Sequence, residues 1–160
     1  MNQKSKDDKF ELEIEEYFDR LYPICRSITG TGYQESLDII REIIPLEKID
    51  FPSGTQCLDW IVPDEWKIRD AYIETPGGDK IARFKENNLH VVGYSVPVDK
   101  KVDLKELKKH VHTLEKLPEA IPYVTSYYKK DWGFCLRYDE YKNLREGIYR
   151  VFIDSDLRPG

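Results

Sequence analysis

The chain has 160 residues, 40% hydrophobic and 34% charged, with a formal net charge of −5. Length and balance fit one ordinary globular domain, or two small ones, with a real core. They argue against nucleic-acid binding, because the densest positive patch (Lys100, Lys101, Lys105, Lys108, Lys109) is broken by Glu106, and against a membrane span, because no apolar run approaches ~20 residues.

The chain opens on MNQKSKDDKFELEIEE, a polar and acidic stretch unlike a signal peptide. Phe10, Ile14, Tyr17, Phe18 and Leu21 then recur at helical spacing and form one apolar stripe. Pro23 and the loop Ser27-Ile28-Thr29-Gly30-Thr31-Gly32 end that helix. A second helix has Tyr33, Leu37, Ile40 and Ile44 on its apolar face, capping-box spacing at Thr31 and Gln34, and Pro45 as its stop. From Leu46 the pattern turns to strands. Leu46–Phe51 and Thr55–Val62 are β-rich around the turn Pro52-Ser53-Gly54. Lys67–Glu74 and Lys80–Phe84 flank Thr75-Pro76-Gly77-Gly78-Asp79, which reads as a hairpin turn. Leu89–Val96 is rich in Val and Tyr and predicts another strand. Leu104–Val111 predicts a short helix with Asp103 as cap and Glu106 at the capping-box position. After a loop holding Pro118 and Pro122, Gly133–Tyr138 and Ile148–Asp154 predict two strands, with a short helix over Tyr138–Leu144.

No complete catalytic set is visible. Three well-separated cysteines (Cys25, Cys57, Cys135) suit neither a disulfide framework nor a zinc finger, and a reduced cytoplasm is the simplest compartment. His110 and His112 form an HxH pair, but residues two apart on a helix diverge by ~200°, so a helix C-terminus is the better reading than a zinc site. His90 reads as a structural polar group more readily than as a general base. The Gly30–Gly32 loop lacks the strand and lysine of a phosphate loop and reads as a helix connection. Cys25 has no nearby His and reads as a small buried hydrophobe. Asp59-Trp60, Asp64-Glu65-Trp66 and Arg69-Asp70 set acids beside aromatics, either as a sugar-cleaving pair or as surface charges beside core rings. Tyr123, Tyr127, Tyr128 and Trp132 make an aromatic loop that suits stacking on a ligand as well as packing under a long connection.

A set of mixed aromatic, Pro, Gly and charged segments carries a family resemblance from about Tyr17 to Pro159. These are LYPICRSITG (residues 21–30), Pro52-Ser53-Gly54-Thr55, Asp59-Trp60, Pro63, Glu65-Trp66 and Ile68-Arg69-Asp70-Ala71-Tyr72. They continue with Asn88-Leu89-His90-Val91-Val92, residues 94–98, Ser126-Tyr127-Tyr128 and Trp132-Gly133-Phe134-Cys135. Together they resemble the N-terminal portion of a bacterial aminopeptidase-like family, itself similar to co-catalytic zinc aminopeptidases. That family resembles a three-part chain: a peptidase-like α/β domain, a β-rich module inserted near its start, and a winged-helix-like domain. Its members are often associated with polysaccharide or secondary-metabolite gene neighbourhoods.

The resemblance implies an N-terminal fragment of a zinc-dependent aminopeptidase-like hydrolase. Residues 1–45 would be the helical part of the peptidase-like domain, 46–147 the inserted module, and 148–160 a strand returning to the peptidase-like domain. The expected fold is α+β, a helical hairpin followed by a β-rich module with one or two short helices. The metal-binding His, Asp and Glu of the family lie downstream, so no metal ligand, cofactor or catalytic residue is assigned to this chain, and zinc is expected in the full-length parent. Expected partners are the rest of the peptidase-like domain and a peptide or aminoacyl small molecule, without nucleic acid or membrane. If the module touches substrate, motif location points to Arg69, Asp70, His90, Tyr127 and Tyr128. The alternatives are a stand-alone, non-catalytic carbohydrate- or peptide-binding module and a pure interaction domain.

Overall fold

The computed structural model describes residues 3–160, with side chains from residue 11 onward. The fold is α+β and divides into two compact units between Asp50 and Phe51.

The first unit is built on two helices, α1 (Gln3–Leu21) and α2 (Thr31–Arg41). Phe10 lies outside the residues whose side chains are described. The rest of the expected stripes is only partly covered: Phe18 is about two-thirds exposed, Tyr33 and Ile44 about half, Ile14 somewhat less, and Tyr17, Leu21, Leu37 and Ile40 are half-buried. Among the described residues of this unit only Ser27 and Ser36 are buried. The expected capping box is absent, because Gly30 is the N-cap and Thr31 already sits inside the helix. Gly30 holds φ 111, a left-handed value that suits glycine. Arg20 clamps Glu42 with two hydrogen bonds of 2.7 and 2.6 Å. Leu46–Phe51, expected as a strand, forms none.

The second unit is organised by an antiparallel sheet of four strands. A small hairpin comes first, β1 (Gln56–Cys57) paired with β2 (Trp60–Ile61). The sheet then combines β3 (Glu65–Glu74), β4 (Lys80–Ile81), β5 (Val98–Asp103) and β8 (Ile148–Arg158) in the order β4-β3-β8-β5. Along β8 the pleat sends Tyr149, Val151, Ile153 and Ser155 inward, as strand periodicity requires. Helix α3 (Leu104–Lys109) contributes buried Leu104 and Leu107, and Asp103 caps it as expected by accepting from the Glu106 amide at 2.8 Å. A parallel pair, β6 (Val111–His112) with β7 (Phe134–Cys135), brings in Phe134, Cys135 and Leu136, all essentially inaccessible. Helix α4 (Tyr138–Lys142) precedes β8.

Three expectations change here. Residues 148–160, expected to leave the module, supply one of the two inner strands of its own sheet. Leu89–Val96 is not a strand: Asn87 caps a single 3-10 turn over Asn88–His90, and Tyr94 takes φ 66. The strand β5 escapes detection because its sequence, Val-Asp-Lys-Lys-Val-Asp, is mostly charged, a composition common on sheet edges. Its anchor is the Arg150–Asp99 fork at 2.8 and 2.9 Å.

Ser53 and Gly160 meet within this unit. The Ser53 amide donates to the Gly160 carbonyl at 2.8 Å, and the Gly160 amide donates to Ser53 Oγ at 3.0 Å. Among the described residues no helix is long and apolar enough to cross a membrane.

Candidate functional site

A cleft of about 620 Å³ opens on the second unit. Five segments wall it: the turn at Gly54, the hairpin exit (Ile61, Val62, Pro63, Asp64), the turn at Tyr94 (Tyr94, Val96, Pro97), the aromatic loop (Ser126, Tyr127, Lys129, Lys130) and the end of β8 (Ser155, Asp156, Leu157). The volume lies within the ~300–1,000 Å³ typical of small-molecule sites.

The cleft stands on a buried polar node. Ser95 is completely inaccessible. Its carbonyl accepts from the Trp66 indole at 3.0 Å and from the Ser155 hydroxyl at 2.8 Å. Its own hydroxyl donates to the Val92 carbonyl at 2.6 Å and accepts from the Gly133 amide at 3.2 Å. Four separate stretches of chain are thereby tied at one residue. A chain of rings runs beside it. Trp66 stacks on Tyr94 with centroids 5.9 Å apart, Tyr94 meets Tyr127 edge-on at 5.4 Å, and Trp60 meets Tyr127 edge-on at 6.4 Å. Such offset and edge contacts hold rings in defined places.

Of the five residues expected at a site, two line or adjoin the cleft, one acts on it indirectly, and two lie elsewhere. Tyr127 lines the cleft, and the exposed Tyr128 packs against it at 4.5 Å. Arg69 does not line the cleft. It is the extra residue of a β-bulge, since the register steps from Ile68↔Ser155 to Asp70↔Asp154. The bulge aims its guanidinium at two carboxylates: Nε and Nη2 fork onto Asp154, and Nη1 reaches Asp156 Oδ2 at 2.5 Å. Hydrogen bonds from Arg69 hold both carboxyls below the ordinary Asp range, and those to Asp154 and then Asp156 raise Arg69 itself. With its fork so engaged, Arg69 orients Asp156, which lines the cleft. Asp70 accepts from the Ala71 amide at 2.9 Å and faces Lys85 at 3.4 Å. His90 shares its Nδ1 with the Cys135 carbonyl at 2.9 Å.

A smaller hollow of about 280 Å³ lies around His110, His112, Asp131 and Trp132. His110 closes α3, stacks on Trp132 at 3.8 Å and bonds the Trp132 carbonyl through Nδ1 at 3.0 Å. Lys100 sits 4.8 Å from the same indole. The two His residues therefore serve different elements. Among the described residues no three His, Cys, Asp or Glu side chains gather so as to hold a metal ion. These residues do not fit a zinc site, and no chemical step through zinc is derived from them. Burial pushes the Cys25 thiol up, away from nucleophilic reactivity.

Residue spacing gave no sign of Ser95, Ser155 and Asp156 as parts of the site. They come together only when β8 pairs with β3 and the turn at Tyr94 folds over both.

The model of a family described as a domain of unknown function (DUF2172) matches residues 65–156. A Clostridium acetobutylicum protein, provisionally described as a polysaccharide biosynthesis protein with an aminopeptidase-like domain, is 51% identical over 148 residues, which is 92% of this chain and 34% of that protein. A crystal structure from the same organism, provisionally described as that of a peptidase, is similar with a TM-score of 0.87 and 49% identity, over 95% of this chain and 36% of that one. The chain thus spans about a third of the length of these relatives.

Proposed function

This chain belongs to the family described as a domain of unknown function (DUF2172), and we propose that it is the N-terminal part of a zinc-dependent, cytoplasmic aminopeptidase-like hydrolase. In this reading the chain is non-catalytic by itself. Residues 1–45 belong to the peptidase-like domain and the β-rich unit is an insertion that borders or lids the active-site cleft. Zinc and its ligands belong to the remainder of the parent, where the metal would activate water for attack on a peptide or aminoacyl substrate.

The observation that carries the reading is the likeness to relatives about three times as long that are described as aminopeptidase-like or as a peptidase. A further fact supports it: Phe18 on α1 and Tyr33 on α2 leave apolar surface exposed.

The test is to read the coding DNA past Gly160 and assay the product. An open frame supplying His, Asp and Glu ligands, with chelator-sensitive hydrolysis of aminoacyl-anilides by the long protein and none by the 160-residue chain, is the expected result. A stop codon, or chelator-resistant turnover by the short chain, would overturn it.

A further inference from the structure

The cleft on the second unit has a chemistry of its own that does not depend on the hydrolase reading. Its apolar walls are Tyr127, Ile61, Pro63 and Leu157. Its polar groups come from both signs of charge, Asp64 and Asp156 against Lys129 and Lys130. Lys129 is tied to Asp131 at 2.9 Å.

Asp156 is the informative member. Arg69 and Arg158 both bind its Oδ2, at 2.5 and 3.4 Å. Its charge is balanced and its orientation fixed, so it acts as a directed acceptor more than as a net anion. A phosphate would find most of the nearby cations already paired, Lys129 with Asp131 and both arginines with Asp156. An ammonium would find Asp156 already neutralised by arginine and Lys130 nearby. A neutral, polyhydroxylated ring suits both halves of the wall: its C–H face can pack on an aromatic side chain, and its hydroxyls can donate to a carboxylate and accept from an ammonium.

The walls are also preformed. Trp60 and Tyr94 brace Tyr127 edge-on. Tyr94 is buried and holds φ 66, a strained conformation for a non-glycine residue that tends to persist at binding sites. A braced wall loses little freedom when a ligand arrives.

We propose that this cleft is a saccharide-binding site. One pyranoside unit packs against Tyr127, its hydroxyls donating to Asp156 and Ser126 and accepting from Lys130.

The test is a ¹H–¹⁵N titration of the 160-residue chain with methyl β-glucopyranoside, N-acetylglucosamine and cellobiose, beside the dipeptide amide Ala-Leu-NH₂. At least one saccharide should shift the amides of Ser126, Tyr127, Lys130 and Leu157, with a dissociation constant on the order of 1 mM, the scale allowed for a ligand of that size. Tyr127→Ala should weaken binding at least about ten-fold, and Lys130→Ala and Asp156→Asn about five-fold each. Lys130 is exposed, so its variant keeps the test valid if Tyr127→Ala perturbs the loop. Absence of saccharide shifts up to about 20 mM, shifts confined to residues outside the cleft, full affinity in Lys130→Ala, or binding of the dipeptide amide alone would each overturn the proposal.

Discussion

Ser155 donates its hydroxyl to the carbonyl of Ser95 at 2.8 Å, linking two nearly inaccessible residues 60 positions apart in the chain. The same carbonyl receives the Trp66 indole at 3.0 Å. One acceptor with two lone pairs therefore fixes β3, β8 and the turn at Tyr94 together. Ser155→Ala should cost about 1 kcal/mol, because Trp66 still satisfies the acceptor. Trp66→Phe should cost more, because it also changes the stacking on Tyr94. The double variant should lose more than the sum of the two, since a buried carbonyl is then left without a partner at a cost of about 1–3 kcal/mol. Urea denaturation of the four proteins measures this; strict additivity would show that the two donors are independent.

Arg69 governs an acid-side contribution to stability. Its hydrogen bonds hold the carboxyls of Asp154 and Asp156 below the ordinary Asp range. A group lowered in the folded chain contributes fully above its unfolded value, and that contribution fades as pH falls through the lowered folded value. Arg69→Met should therefore raise both carboxyl titrations toward the ordinary range in ¹³C NMR, and should shift the start of acid unfolding to higher pH. Arg69→Lys should restore only part of the effect, since one ammonium cannot reproduce the fork onto two carboxylates. Unchanged carboxyl titrations in Arg69→Met would contradict the assigned cause.

The sequence made the helices, the hairpin turn at Gly78 and the strand Ile148–Asp154 legible, because each follows a single local rule: apolar period, left-handed glycine, or alternation. Three features were not legible. The edge strand Val98–Asp103 is held by pairing to β8 and by Arg150–Asp99, and its own residues show no apolar alternation. The turn at Tyr94 contradicts local strand preference because Ser95 must present its carbonyl to two distant donors. Asp156 lines the cleft from the end of β8 and is bonded by Arg69 from a bulge that sequence spacing does not announce. Tyr127 lies in the cleft wall, on an aromatic-rich loop whose composition suits packing and binding alike.

Gly133 has no room for a side chain. A Cβ there would lie 2.8 Å from Val92 Cγ2 and 2.9 Å from the His110 carbonyl oxygen. Gly133→Ala should destabilise by about 1–3 kcal/mol through overpacking of the β6–β7 region. Gly54, with φ 85, has open space around its would-be Cβ. Gly54→Ala should cost only the left-handed conformation, about 1–2 kcal/mol. Thermal melts distinguish the two mechanisms: a second-site Val92→Ala should relieve part of the Gly133→Ala penalty and none of that of Gly54→Ala.

The three cysteines should react in order of exposure. Cys57 is exposed, Cys25 is half-buried with its thiol raised by burial, and Cys135 is fully buried with its thiol pushed up to about 12 by burial. The thiolate is the reactive form, so a buried, raised thiol stays silent. Iodoacetamide at neutral pH should alkylate Cys57 first and Cys25 slowly, and Cys135 only in denaturant. Peptide mass spectrometry reads the order directly; early labelling of Cys135 would mean that β7 opens readily.

The exposed apolar side chains of the first unit make a prediction separate from the cleft. Leu12, Phe18 and Ile49 are each about two-thirds exposed, and none of the described apolar residues of that unit is buried. Exposed apolar area of this kind binds hydrophobic dyes and promotes association. Leu12→Ser with Phe18→Ser should lower dye fluorescence and self-association of the chain. Both positions lie in the first unit, so the main unfolding transition, carried by the core around Ile73, Tyr149 and Phe134, should hold its midpoint. Calorimetry and light scattering on the same samples measure the two effects together. A fall in the main transition on removing these side chains would show that they already stabilise this chain and are not a surface waiting for cover.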